Sequence, residues 1–209
     1  MKTQIYPINT LTAVQLKQIV SDIRAGAVVA LATDTVYGLA ADVYNEEALT
    51  RIYTLKRRPT SMPFQILIDS VETVKPLVQW NKYAEDLAKR YWPGALTMIL
   101  SPSEKGKKLC RGFEGLGVRV PAHKGLFKLL SQYQQPLSCT SANLHAHSVI
   151  TTEEELISTF QNKVEYILTD GNLSAQASSV VDLTAEPKLL REGAISRDDL
   201  QKILQVPLK

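Results

Sequence analysis

A run of three cations, Lys56-Arg57-Arg58, closes a stretch that begins with the apolar Val28-Val29-Ala30-Leu31. Arginine offers a planar fork to phosphate oxygens, and lysine a compact charge. Where a helix ends in such a run and the chain then extends, alternate residues can converge on one pocket. Lys56 and Arg58 are therefore the pair to hold a phosphate, with Arg57 pointing elsewhere. The same run also suits a plain helix C-terminus, whose dipole favours cations by ~0.3–1 kcal/mol each. Between the two ends lies Thr33-Asp34-Thr35, followed closely by Gly38. Ligands in open α/β sheets gather at the carboxyl ends of strands. The turn reads equally as a ligand-binding turn and as an ordinary polar one in which Asp34 bonds the backbone.

Later segments repeat this arrangement. Ser138 to Asn143 reads SCTSAN and follows a short apolar run. Its small side chains let a ligand approach the backbone, and Ser141 and Asn143 supply donors and acceptors. A turn or a helix cap would use the same residues. Arg191 follows Leu189-Leu190 and precedes Gly193 by two. It is a cation for a ligand or one half of a surface ion pair. Ser178-Ser179 precedes Val180-Val181 as a site or as a strand entry. Cys139 has no assignable base and reads as a packed thiol rather than a nucleophile. His123, His145 and His147 lack the further ligands that a structural zinc requires. Neither GxxxxGK[ST] nor GxGxxG occurs, so the chain carries no P-loop or dinucleotide fingerprint.

Helices and strands must position these residues. Short apolar runs at Gln4 to Pro7, Val28 to Leu31, Phe64 to Ile68, Leu96 to Leu100, Gly117 to Val120, Leu137 to Thr140, Tyr166 to Leu168 and Ser179 to Leu183 read as strands, with Leu189-Leu190 as a further short one. Between them fall helical patterns at Leu16 to Ile23, Tyr83 to Tyr91, Leu126 to Leu130, Glu153 to Phe160 and Ile195 to Leu204. After Gly38 a helical pattern carries the chain to Lys56. Asn45 caps it, and Glu46 and Glu47 complement the dipole in its first turn. Ser101 to Gly117 is polar and glycine-rich and reads as a mobile loop. Interleaved helices and apolar strands predict an α/β sheet covered by helices.

The 209 residues fit one domain, 1–209, and 44% hydrophobic content supports a core. A net charge of +3 does not by itself imply nucleic acid. Two cysteines, far apart and outside any CxxC, read as unpaired thiols in a reducing cytosol rather than as one disulfide. The start lacks the apolar core of a signal peptide, and no apolar run approaches the ~18 residues of a membrane helix. These features predict a cytoplasmic protein with no membrane partner.

Taken in order, TDTVYGL, LKRRP, WPGALT, GVRVPAH, TSAN, SSVVDL and LLREG resemble the YrdC-like family of threonylcarbamoyl-adenylate synthases. The resemblance runs from about Ala27 to Gly193. Its most specific part, KxR with SxN, falls on Lys56, Arg58, Ser141 and Asn143. It implies a YrdC-like twisted mixed sheet with helices around a concave, positively charged cavity. It implies a nucleotidyltransferase that joins L-threonine, bicarbonate or CO2, and ATP into threonylcarbamoyl-adenylate and pyrophosphate. That product feeds the threonylcarbamoyladenosine modification of tRNAs that read codons beginning with A. Magnesium would accompany the ATP. By residue, the resemblance implies that Lys56 and Arg58 hold the phosphates and carry the catalysis. Ser141, Asn143 and Arg191 would line the nucleotide site. Thr35, Ser178 and Arg119 would contact threonine. Longer relatives carry an extra C-terminal domain; this chain resembles the short form, which implies partner proteins for transfer to tRNA.

The sequence departs from the family at several points. Ala32 stands where proline is usual, Met62 where some relatives place asparagine, and Leu67 where some place histidine. Cys110 replaces a frequent threonine, and LHAHS follows Asn143 in place of a glycine-containing run. These bear on fine substrate contacts more than on the reaction class. Two other readings stand beside this one. An RNA-binding module would use the loop cations Lys105, Lys107, Lys108 and Arg111. A YciO-type paralogue would have a different adenylating activity, which the intact KxR and SxN disfavour.

Overall fold

A computed structural model describes residues 2–145, 147–174 and 176–209. Its described residues contain a ten-stranded mixed sheet. The strands are β1 (Gln4–Pro7), β2 (Val29–Leu31), β3 (Gly38–Asp42), β4 (Gln65–Leu67), β5 (Leu96–Leu100), β6 (Leu116–Arg119), β7 (Leu137–Ser141), β8 (Tyr166–Thr169), β9 (Ser179–Asp182) and β10 (Lys188–Arg191). Their spatial order is β1-β8-β2-β3-β7-β4-β6-β5-β9-β10. Most of the sequence-predicted strands are present, and the α/β expectation holds.

β3 departs from expectation. Residues 38–42 read as the entry to a helix, yet Gly38–Asp42 is buried throughout and lies between β2 and β7, antiparallel to both. Glycine and alanine are poor strand formers. Here both edges of the segment are hydrogen-bonded, and the sheet overrides local preference. Small side chains also suit a central strand covered on both faces. Residues 101–117 differ from a plain loop in holding a short helical turn, Lys107–Cys110, that buries Leu109 and Cys110.

The helices divide the apolar core in two. Ala13–Arg24 (α1), Glu46–Lys56 (α2), Lys124–Tyr133 (α6) and Glu153–Phe160 (α7) cover the half of the sheet formed by β1, β8, β2, β3 and β7. Lys82–Tyr91 (α4) and Arg197–Leu204 (α8) cover the other half. The short helices Val71–Val74 (α3) and Lys107–Cys110 (α5) join them there. The residues singled out in the sequence lie where β7 and β4 join these halves and on the strands that follow.

Each end of α2 follows from local chemistry. The Asn45 side chain accepts from Ala48 N at 2.9 Å, which satisfies an orphan amide of the first turn. At the far end Arg57 takes a left-handed conformation (φ 50°, ψ 38°). The Arg57 amide donates to Thr54 O and the Arg58 amide to Tyr53 O, closing off the last carbonyls. This turn buries Lys56, leaves Arg57 exposed and brings Arg58 back against the body of the protein. The expected divergence of Arg57 from its neighbours follows from that backbone turn.

Candidate active site

Lys56 is 1% exposed, although it ends a helix. Its ammonium has three hydrogens. Nζ lies 2.5 Å from Ser141 O, 2.6 Å from Asn143 O and 3.2 Å from Asn143 Oδ1. The turn closes further on itself. Ser141 Oγ donates to Asn143 Oδ1 at 2.5 Å, and Asn143 Nδ2 donates to Leu144 O and His147 O. The KxR and SxN residues therefore meet, and three of the four hold one another. Burial, with the nearby Arg58 charge adding to it, lowers the Lys56 pKa from 10.5 to about 8. Within the LHAHS segment, Ala146 lies outside the described residues.

Arg58 is less fully engaged. Nη2 donates to Pro63 O at 3.1 Å, and the guanidinium lies 5.8 Å from the Phe64 ring centroid. Its Nε is buried with no partner among the described residues. Phe64 in turn stacks on Tyr53 with centroids 4.3 Å apart. A shallow cleft nearby is lined by Tyr53, Pro63, Phe64, Cys110, Arg111 and Phe113, among others. The departures Met62 and Cys110 thus belong to this corner: Tyr53 Oη donates to Met62 O at 2.9 Å, and Cys110 faces the cleft.

The TDT turn forms a second cluster. Thr33 Oγ1 accepts from the Thr35 and Val36 amides and donates to Val36 O. Asp34 bonds a side chain rather than the backbone. Its carboxylate accepts from Arg119 Nη2 at 2.7 Å, an ion pair with both side chains largely buried. The Arg119 Nη1 donates to Thr35 Oγ1 at 3.1 Å and Nε to Gly94 O at 3.0 Å. Arg119 thereby ties the turn after β2 to the end of β6 and to the Trp92-Pro93-Gly94 turn.

Ser178 and Arg191 form a third cluster. Arg191 Nε donates to Ser178 O at 2.9 Å and Nη2 to Ser178 Oγ at 3.1 Å. Arg191 thus stands with a serine, not in a surface ion pair. Partial burial of its guanidinium, and then the charge of Arg119, lower its pKa. Cys139 links the clusters from below. Burial pushes its thiol up to about 12, against the opposing pull of Arg119 and Lys56. So Lys56 and Arg119 both reach Cys139 electrostatically, and Arg119 reaches Arg191.

Such a thiol is a packing group, and both cysteines are free. His123 caps α6: its Nδ1 accepts from Leu126 N at 3.1 Å, and Nε2 faces Asp170 Oδ2 at 3.0 Å. No group of three or more His, Cys, Asp or Glu that could hold a metal ion occurs among the described residues. The three clusters bring together cations, oriented hydroxyls and backbone groups, the kinds of group that electrostatic catalysis uses.

The Sua5/YciO/YrdC family model, described as telomere recombination, matches residues 21–193. The chain belongs to this family. It is 37% identical to the threonylcarbamoyl-AMP synthase of Pyrococcus abyssi over 87% of its own length and 55% of that protein. It is 31% identical to the Bacillus subtilis threonylcarbamoyl-AMP synthase, covering 91% of this chain and 56% of that one. The chain thus spans a little over half the length of these two relatives. Against the 30% identical Vibrio vulnificus synthase it covers 98% of the relative. The structure of P. abyssi Sua5 complexed with L-threonine superposes with a TM-score of 0.90, at 33% identity, over 99% of this chain and 63% of that one. E. coli YciO superposes with a TM-score of 0.84 at 25% identity, over 92% of this chain and 96% of that one. The YrdC-like fold expected from the sequence is the fold present.

Sequence reasoning missed three participants. Asp34 lies in a turn that reads equally as ligand-binding and as an ordinary polar one, and its partner Arg119 lies 85 residues away. Gln65 and Thr97, which join the Ser178 cluster, lie within segments that read as strands. A polar residue inside Phe64-Gln65-Ile66-Leu67-Ile68 was the available signal.

Proposed function

We propose that the protein condenses L-threonine, bicarbonate or CO2, and ATP into L-threonylcarbamoyl-adenylate, releasing pyrophosphate. The observation that carries this reading is the meeting of Lys56 with Ser141 and Asn143 beside Arg58, far apart in sequence and adjacent in space. The threonylcarbamoyl-AMP synthases among the relatives, and the L-threonine complex of the P. abyssi protein, supply the substrate class. In the proposed reaction the threonine nitrogen adds to CO2 and loses a proton, forming a carbamate. A carbamate oxygen then attacks the α-phosphorus, the bond to the β-phosphate oxygen breaks, and pyrophosphate leaves.

This chemistry brings two anions together, so it needs fixed cations and held reactants more than a nucleophile. Arg58 has an unused buried donor for phosphate oxygens, and Lys56, Ser141 and Asn143 hold the wall beside it. Arg191, bonded to Ser178, would approach the nucleotide from that side. Thr35, Ser178 and Arg119 present oriented polar groups for the amino acid. Magnesium accompanies ATP as part of the substrate and supplies further neutralisation of phosphate charge. The product would serve tRNA modification in the cytoplasm, with partner proteins completing transfer.

The alternative of an RNA-binding loop is weakened by the ion pairs of Lys107 with Glu104 and Arg111 with Glu46. The deciding experiment measures pyrophosphate release by the purified chain with ATP, magnesium, bicarbonate and each amino acid in turn. Threonine-dependent release is the expected result, and its absence across magnesium concentrations defeats the proposal. A YciO-type activity would show release that another amino acid or none supports equally well.

A further inference from the structure

Gln65 stands on β4 and Thr97 on β5, and β6 lies between those strands. Even so, Thr97 Oγ1 donates to Gln65 Oε1 at 2.6 Å. The bond crosses β6 where the strand is bare. A Cβ at Gly117 would lie 3.6 Å from Gln65 Cβ and 3.8 Å from Thr97 Cγ2. A side chain extending beyond that Cβ would fill the gap through which the amide reaches.

The consequence lies one residue further on. Thr97 has a single hydroxyl hydrogen, and Gln65 takes it. The contact of Thr97 Oγ1 with Ser178 Oγ at 3.0 Å must then be a bond donated by Ser178. Ser178 is buried, and with its own hydrogen turned inward it offers only lone pairs outward. Arg191 Nη2, at 3.1 Å, donates to it there. The chain of bonds therefore runs in one direction, from Arg191 through Ser178 and Thr97 to Gln65.

Thr35 is held within its own turn. Arg119 donates to its oxygen, while Thr33 Oγ1 already accepts two amides and donates to Val36 O. Thr35 Oγ1 also lies 3.0 Å from Thr33 Oγ1, and since Thr33 gives its hydrogen to Val36 O, the Thr35 hydrogen turns to Thr33. Ser178 is the hydroxyl that keeps acceptor capacity toward a ligand, which suits the amine of an amino acid.

We propose that Gln65 is a positioning residue for amino-acid binding. By accepting from Thr97 it fixes Ser178 as an acceptor for a ligand amine. This rests on the reading of the protein as a threonine-using enzyme. Gln65 never touches substrate and acts through two hydroxyls.

The test is calorimetric titration of the full chain with L-threonine and, separately, with ATP. The variants are Gln65→Met, which keeps the shape but removes the acceptor, and Thr97→Val and Thr97→Ser. Gln65→Met and Thr97→Val are each expected to weaken threonine binding about tenfold, the worth of one oriented hydrogen bond. ATP affinity stays within about twofold. Thr97→Ser, which keeps the hydroxyl, stays close to the unsubstituted protein. Equal weakening of threonine and ATP binding would mark a merely structural role and overturn the proposal. Unchanged threonine affinity in both Gln65→Met and Thr97→Val would overturn it as well. If the unsubstituted protein itself binds no threonine, the functional reading falls, which is a separate and distinguishable result.

Discussion

Lys56 Nζ lies 2.6 Å from Asn143 O across 87 residues of sequence, and it reaches the Ser141 carbonyl as well. The lysine of the basic run thus clamps the turn that follows β7. Removing it strands two carbonyls beside a buried space, and an unsatisfied buried group costs ~1–3 kcal/mol. Lys56→Met is expected to lower unfolding free energy by about 2 kcal/mol, read from urea denaturation. The same variant is expected to raise the KM for ATP at least about tenfold, because the turn and the proposed phosphate site lose their shared cation. Lys56→Arg will not restore either property, since a planar guanidinium cannot occupy a site built around one compact ammonium. A wild-type KM in Lys56→Met would show that the clamp is unrelated to nucleotide binding.

The same burial has a pH consequence. Lys56 titrates near 8 when folded and near 10.5 when unfolded. Below 8 both states hold the proton, and the charged, desolvated form carries a penalty in the fold. Between about 8 and 10.5 the unfolded chain binds more protons, so this group's contribution to stability rises with pH. The clamp itself behaves oppositely. An amine has two hydrogens and a lone pair, so one of the three contacts is lost above about 8. ATP affinity is expected to fall as pH rises through that value. Carbon-13 labelling of lysine side chains would show one Cε resonance titrating near 8, absent in Lys56→Met. A Lys56 resonance titrating near 10.5 would refute the assignment.

Arg58 differs from Lys56 in how little of the fold depends on it. It makes one bond to Pro63 O and lies over Phe64, a cation–π contact worth ~0.5–1 kcal/mol at such a site. Arg58→Ala is expected to cost no more than about 1.5 kcal/mol of stability. Threonine-dependent pyrophosphate release should fall by about a hundredfold or more, the usual effect of removing one preorganised charge-stabilising donor. Turnover at the unsubstituted rate would remove Arg58 from the phosphate site.

The sequence made some of this legible and hid the rest, for physical reasons. Asn45 announced a helix start because capping is local chemistry, and it caps the helix expected of it. The basic run at a helix end and SxN after an apolar strand were legible as candidate ligand groups from residue type alone. The strand at Gly38–Asp42 was not legible, since its alanines and glycine carry no strand preference and only its neighbours hold it extended. The Asp34–Arg119 pair was hidden because nothing at Asp34 signals a partner on β6. The closed state of Lys56, Ser141 and Asn143 was equally hidden: sequence identifies donors, and only geometry shows which are already engaged.

Gly38 gives a prediction that tests the sheet itself. It pairs with Ser141, and its missing side chain leaves room for the Cys139 thiol. A Cβ there would lie 2.7 Å from Cys139 Sγ and 3.2 Å from Thr140 O. The thiol is buried and cannot swing away, and the carbonyl belongs to the ladder, so β3 and β7 must separate. Gly38→Ala is expected to destabilise the protein by ~1–3 kcal/mol, the range for overpacking a closed core. It should also disturb the clamp, because Ser141 and Asn143 follow directly on β7. Adding Cys139→Ala to Gly38→Ala removes the closer of the two contacts and leaves the carbonyl. The double variant is therefore expected to be more stable than the sum of the single effects, a coupling that a double-mutant cycle measures directly. Strict additivity would show that the clash is relieved elsewhere and that the thiol does not hold the two strands at their spacing.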